Sequence, residues 1–133
     1  MIEEKEKMEQ QQLDETYLIL ENFKIASSAN LSEHWKNKHK RNKKYELLLL
    51  SIKKEIQKCT IPCVITFIRI SPRQLDYDNL CYAFKKITDI ICSYLIPDLA
   101  PGRADGDPRI KIIYQQRKGK PKEHSLHIRI TSL

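Results

Sequence analysis

The chain has no apolar run approaching the roughly 20 residues that a membrane-spanning helix requires, and none of its segments repeats another. Its first dozen residues are rich in Glu, Lys and Gln rather than apolar, unlike a secretory signal segment. A cytoplasmic protein is therefore expected, with no membrane association. Metal-ligand spacings typical of zinc sites are also missing. Cys59-x3-Cys63 and His124-x2-His127 could supply four ligands, but neither half has the spacing of a common zinc motif. Cys63, in an apolar run, and Cys92, in a helical pattern, read instead as small packing residues. Carboxylates are outnumbered: 17 Asp and Glu face 24 Lys and Arg, for a formal charge of +7 and a pI near 9.2. That balance suits a polyanion such as DNA or RNA, although many small basic domains bind neither.

What is present suffices for one domain. A length of 133 residues with 41% hydrophobic content can bury a core and should fold. Residues 1–13 are charged and amide-rich and read as a flexible arm, leaving 14–133 as the single domain. Residues 17–25 read as a first strand. Ser32 is a plausible N-cap for a long helix reaching about residue 58. The first half of that helix is basic, with His34, Lys36, Lys38, His39, Lys40, Arg41, Lys43 and Lys44. Its second half is apolar at Leu47, Leu48, Leu49, Leu50, Ile52 and Ile56 and is expected against the core. A basic run is more often a solvated face than a ligand site. A phosphate-contacting role gains weight here because the helix is anchored at its other end.

Pro62 opens a second strand over 63–70, apolar on both faces and so expected to be central. A helix over 80–95 follows, with Asp78 or Asn79 as its cap and an apolar stripe at helical spacing. Strands over 110–116 and 124–131 are expected to pair as a β-hairpin with a basic tip at Lys118, Lys120 and Lys122. The order β-α-β-α-β-β predicts a mixed α/β (α+β) fold, a small sheet of about four strands with two main helices packed on it.

Against the basic background stand two acidic segments, Leu75-Asp76-Tyr77-Asp78-Asn79-Leu80 and Ala104-Asp105-Gly106-Asp107-Pro108-Arg109. Four crowded carboxylates are unfavourable unless a cation neutralises them, and the usual remedy is a hard divalent ion. If Asp76 and Asp78 end a strand, both side chains lie on one face. A loop folding back would then add Asp105 and Asp107 to an all-oxygen site for Mg²⁺ or Mn²⁺. Such a site hydrolyses phosphodiesters. Counting from Asp78, Tyr82, Lys85 and Asp89 share a helix face. Lys85 could stabilise the reacting phosphate, although on spacing alone it reads as a surface lysine balancing Asp89. A single Asp-x-Asp is a weak signal, because it often only caps a helix. A Glu-x-Lys strand, the mark of another widespread nuclease layout, does not follow Pro97-Asp98.

The pattern Arg73-x-x-Asp76-x-Asp78-Asn79-Leu80, then Ala83-Phe84-Lys85 and Asp89, then 104–110, resembles the RusA-type Holliday-junction resolvases, especially their divergent prophage relatives. Tyr114-x-Gln116-x-Lys118-Gly119 and, upstream, Ser28-Ala29-Asn30-Leu31 with His34-Trp35 are similar to further segments of that family. The resemblance spans about residues 17–131. It implies a homodimeric, Mg²⁺- or Mn²⁺-dependent endonuclease that cuts branched DNA in recombination or repair. Asp76, Asp78 and Asp107 would match the catalytic and metal-holding aspartates, with Asp105 auxiliary and Lys85 as the active-site lysine. The better-studied members have that lysine four residues after the second aspartate, where this chain has Tyr82. Arg73, Asn79, Lys36, Lys38, Lys40, Arg41, Lys43, Lys44, Lys118, Lys120 and Lys122 would contact the DNA. The rival expectation is a basic DNA- or RNA-binding protein of the same fold that does not cut, its aspartates reduced to capping.

Overall fold

A computed structural model describes residues 14–25, 35–98 and 104–133, with the backbone alone at 35 and 105. The expected arm at 1–13, the Ser32 cap and the 28–34 motif lie outside the described residues. The elements are β1 (Glu15–Glu21), α1 (Trp35–Leu50), α2 (Lys53–Gln57), β2 (Cys63–Ser71), α3 (Tyr77–Ala83), α4 (Lys85–Leu95), a 3₁₀ turn (Ala104–Gly106), β3 (Ile110–Lys118) and β4 (Ser125–Ser132). This is the mixed α and β fold expected, with one four-stranded sheet. Each expected long helix is interrupted, at Ser51–Ile52 and at Phe84. Among the described residues no helix is long and apolar enough to cross a membrane.

The sheet order is β1-β4-β2-β3. Eight of the nine β2 residues are buried, so this strand needs a neighbour on each edge, and it has β4 antiparallel on one side and β3 parallel on the other. The expected β3–β4 hairpin is therefore not formed. The strands are consecutive, but β2 lies between them, and the 118–125 connection passes over its C-terminal end, where Gly119 N–H donates to Ser71 O at 2.9 Å. Pairing β3 parallel to β2 forces a crossover, which α3 and α4 supply.

The helices pack on one face of the sheet. Phe84, at the α3–α4 junction, stacks on Tyr114 at 5.3 Å and meets Phe67 at 5.5 Å, while Thr88 and Tyr114 share a 2.8 Å hydroxyl bond. Phe23 stacks on Tyr45 at 5.4 Å and ties α1 to the chain that follows β1. The leucine run of α1 corrects the expectation drawn from it: Leu49, Ile52 and Ile56 are buried, whereas Leu47 is 69% exposed, Leu48 38% and Leu50 53%. Four consecutive helical residues point around the whole circumference, so only one of them can face the core.

Candidate nucleic-acid interface and acidic segments

The helix α3 begins at Tyr77, one residue after Asp76, and this changes the reading of the first acidic pair. Asp76, not Asp78 or Asn79, is the N-cap: its Oδ1 accepts Asn79 N–H at 2.9 Å and its Oδ2 accepts from Asn79 Nδ2 at 3.0 Å. Asp78 already lies in the first helical turn, where its charge is favoured by the helix dipole. Residues two apart on a helix do not face each other, so the two carboxylates are not the same-face pair of an extended strand. Asp78 is exposed, without a hydrogen-bond or ionic partner among the described residues.

The loop before this helix start is held from below. Arg69, 6% exposed, donates through Nε to Ile25 O at 3.1 Å and through Nη1 to Arg73 O at 2.7 Å. Arg73 itself turns its side chain to solvent. Gln116 on β3 binds the backbone of Leu75, immediately before Asp76.

The second acidic segment is elsewhere. Arg109 donates to Asp107 from its backbone N–H and from Nε and Nη2, each at 2.9 Å. These bonds hold the Asp107 carboxyl down to about 2. The register fixes where this pair sits. Ile110 is level with Cys63, the first residue of β2, and Cys63 N–H donates to Arg109 O at 2.9 Å. Asp76 instead follows Ser71, the last residue of β2. At about 3.3 Å per residue the two ends of that strand are about 26 Å apart. Asp105 lies in the 3₁₀ turn beside Asp107, and its side chain is outside the described residues. The residues present therefore do not fit a four-carboxylate metal site within one chain, and among the described residues no group of three or more His, Cys, Asp or Glu is placed to hold an ion. The cause is the parallel β2–β3 pairing, which returns the chain to the start of β2 before the second segment begins. The same separation parts Cys63 from His124, at opposite ends of the sheet.

A different group does converge. Lys38, Arg41, Asn42 and Tyr45 of α1 face Tyr82, Ala83, Lys85, Lys86 and Asp89 of α3 and α4 across a groove of about 190 Å³. Tyr82, Lys85 and Asp89 thus line one groove as expected from helical spacing, although Asp78, from which the face was counted, does not line it and Phe84 divides the helix; the basic helix lies opposite. Lys86 Nζ meets Glu46 Oε1 at 3.1 Å, which joins the two walls. Lys36, Lys38, Lys40, Lys43 and Lys44 are exposed and Arg41 is half-buried.

The turn after β3 brings Lys118, Lys120 and Lys122 to the end of the sheet where β2 finishes, which is the Asp76–Asp78 end. Phe23, on which Tyr45 stacks, binds His124 O at 3.1 Å at that same end. Gln116 and Arg69, which secure the loop at 73–76, were not singled out as site residues by sequence reasoning. The signal for Gln116 was its place in the 114–119 motif. For Arg69 it was a lone cation inside an apolar strand. No protein-family model matches this chain, and no curated protein or solved structure matches it either.

Proposed function

We propose that this protein binds branched DNA and cuts it as a divergent endonuclease of the RusA type. The observation that supports this reading is the meeting of the α3 start with Asp78 and the basic turn at 118–122 at one end of the sheet, with the groove where α1 meets Tyr82 and Lys85 further along the helices that follow. Lys and Arg side chains on α1 and on the turn grip phosphates, contacts that position DNA without reading its sequence. Lys85, in the groove wall, offers an ammonium to a phosphate held there. Mg²⁺ is commonly held by one or two carboxylates with water and substrate phosphate, and Asp78, exposed and unpaired among the described residues, is the carboxylate that suits that sparse arrangement. When bound, Mg²⁺ or Mn²⁺ would supply an activated water and neutralise charge on the phosphodiester. Symmetric cutting of a four-way junction calls for a homodimer, and the reading takes the protein to be cytoplasmic.

A second reading, a basic nucleic-acid-binding protein that does not cut, is favoured by one observation. Asp76 serves as a helix cap and Asp107 is clamped by Arg109, so two of the carboxylates have structural work. The deciding experiment is incubation of a labelled four-way junction with Mg²⁺ or Mn²⁺, with Asp78→Asn alongside. Paired nicks that disappear in the variant are expected. Tight binding without nicks under either metal leaves the second reading.

A further inference from the structure

The sheet register sorts its residues between two faces. Leu18, Ile128, Phe67 and Tyr114 form a row on the face that carries the helices. Tyr17, Arg129, Thr66 and Ile113 form a row on the other, with Ile19, His127, Ile68 and Gln115 beside it. On this second face Tyr17 is 43% exposed and Ile19 55%, and Lys111 and Arg117 are exposed as well. Ile68 and Ile70 are nevertheless buried. Side chains of the outer strands account for that. Arg117 on β3 donates from Nη2 to Tyr17 Oη on β1 at 3.4 Å, a contact that spans both central strands. Tyr17 also shares a 2.7 Å hydrogen bond with His127 Nδ1, and the two rings meet edge-to-face at 5.6 Å.

We infer that this face binds a single strand of nucleic acid, one base stacking on the Tyr17 ring with a phosphate beside it on Arg117, and a phosphate several nucleotides away on Lys111, about 20 Å from Arg117 along β3. Three features argue for that occupant. An aromatic ring held in place on an open sheet face is a surface on which any base can stack, and cations spaced around it track the backbone. Arg117 leads along the chain to Lys118, Lys120 and Lys122 at the same end of the sheet, and on this face Arg129 offsets Glu15 at 3.8 Å, with Glu21 at the end of β1. The formal charge of +7 favours a polyanion over a neutral peptide. A second copy added along β1 is disfavoured, because antiparallel pairing centred on Leu18 would set Glu15 opposite Glu21. The surface uses neither the aspartates nor α1 and shares only the basic turn at 118–122 with the cleavage reading, so the two can fail separately.

The test is fluorescence anisotropy of the full chain with a labelled oligothymidylate of about 12 nucleotides, and with a blunt duplex in parallel. Tyr17→Ala is expected to weaken oligothymidylate binding about fivefold or more and to leave duplex binding unchanged. Tyr17→Phe, which keeps the ring and loses the hydroxyl bonds, is expected to bind within about twofold of the unsubstituted protein. Arg117→Ala and Lys111→Ala should each weaken the oligonucleotide, and they decide the matter if Tyr17→Ala does not fold. The inference is overturned if the unsubstituted protein does not bind the oligonucleotide, if Tyr17→Ala binds it normally, or if Tyr17→Phe loses as much as Tyr17→Ala. Equal loss on the duplex overturns it too. Junction cleavage that fails while these results hold would count against the nuclease reading alone.

Discussion

The Gln116 side-chain amide holds both backbone groups of Leu75. Leu75 N–H donates to Oε1 at 3.0 Å, and Nε2 donates to Leu75 O at 2.5 Å. A residue on the edge strand β3 thus fixes the chain just before the Asp76 cap, 41 positions earlier. Removing the amide leaves two half-buried backbone groups unpaired, at a cost of about 1–3 kcal/mol. Gln116→Ala is expected to lower the urea midpoint accordingly, and Gln116→Glu, which keeps the acceptor but sets a carboxylate oxygen against Leu75 O, to lower it at least as far. Equal midpoints for all three proteins would show that water replaces the amide at no cost.

Gly119 serves the same end of the sheet. A Cβ there would come within 3.0 Å of Glu123 Oε1 and 3.1 Å of the Ile70 Cγ2 methyl. The glutamate can swing away, but the Ile70 side chain is fixed in a buried strand. Gly119→Ala should therefore cost about 1 kcal/mol, read as a lower melting temperature. A melting temperature at or above that of the parent would mean that the turn at 118–125 shifts freely.

Asp107 makes acid stability sensitive to one carboxyl. Its bonds to Arg109 hold it at about 2 in the folded chain, below its ordinary 3.8. A carboxyl depressed by folding stabilises the native state above its unfolded pKa. That contribution is lost as pH falls from about 4 to about 2. Asp107→Asn should flatten the stability profile across this window and leave it nearly parallel to the parent above pH ~5. Carbon-detected NMR titration of Asp107 should give a midpoint near 2. A midpoint close to 4 would mean that the Arg109 clamp is absent in solution.

Local patterns carried much of this fold. The apolar run at 63–70 announced a central strand, and the spacing of Tyr82, Lys85 and Asp89 announced a shared helix face that now lines the groove with α1. Both follow from backbone periodicity, which is a property of neighbouring residues. The cap was missed by two or three residues because Asp76, Asp78 and Asn79 are all good caps. Which one starts the helix depends on where Gln116 holds Leu75.

Composition and periodicity alone therefore determined a basic α and β domain, its central strand, its exposed lysine helix and the two acidic segments. Only the tertiary structure decided that β2 comes between β3 and β4, which abolishes the hairpin and sends the two acidic segments to opposite ends of one strand. Strand order is a long-range choice. It is made by how the two apolar faces and two edges of β2 are satisfied at once, and no local window of sequence contains that information.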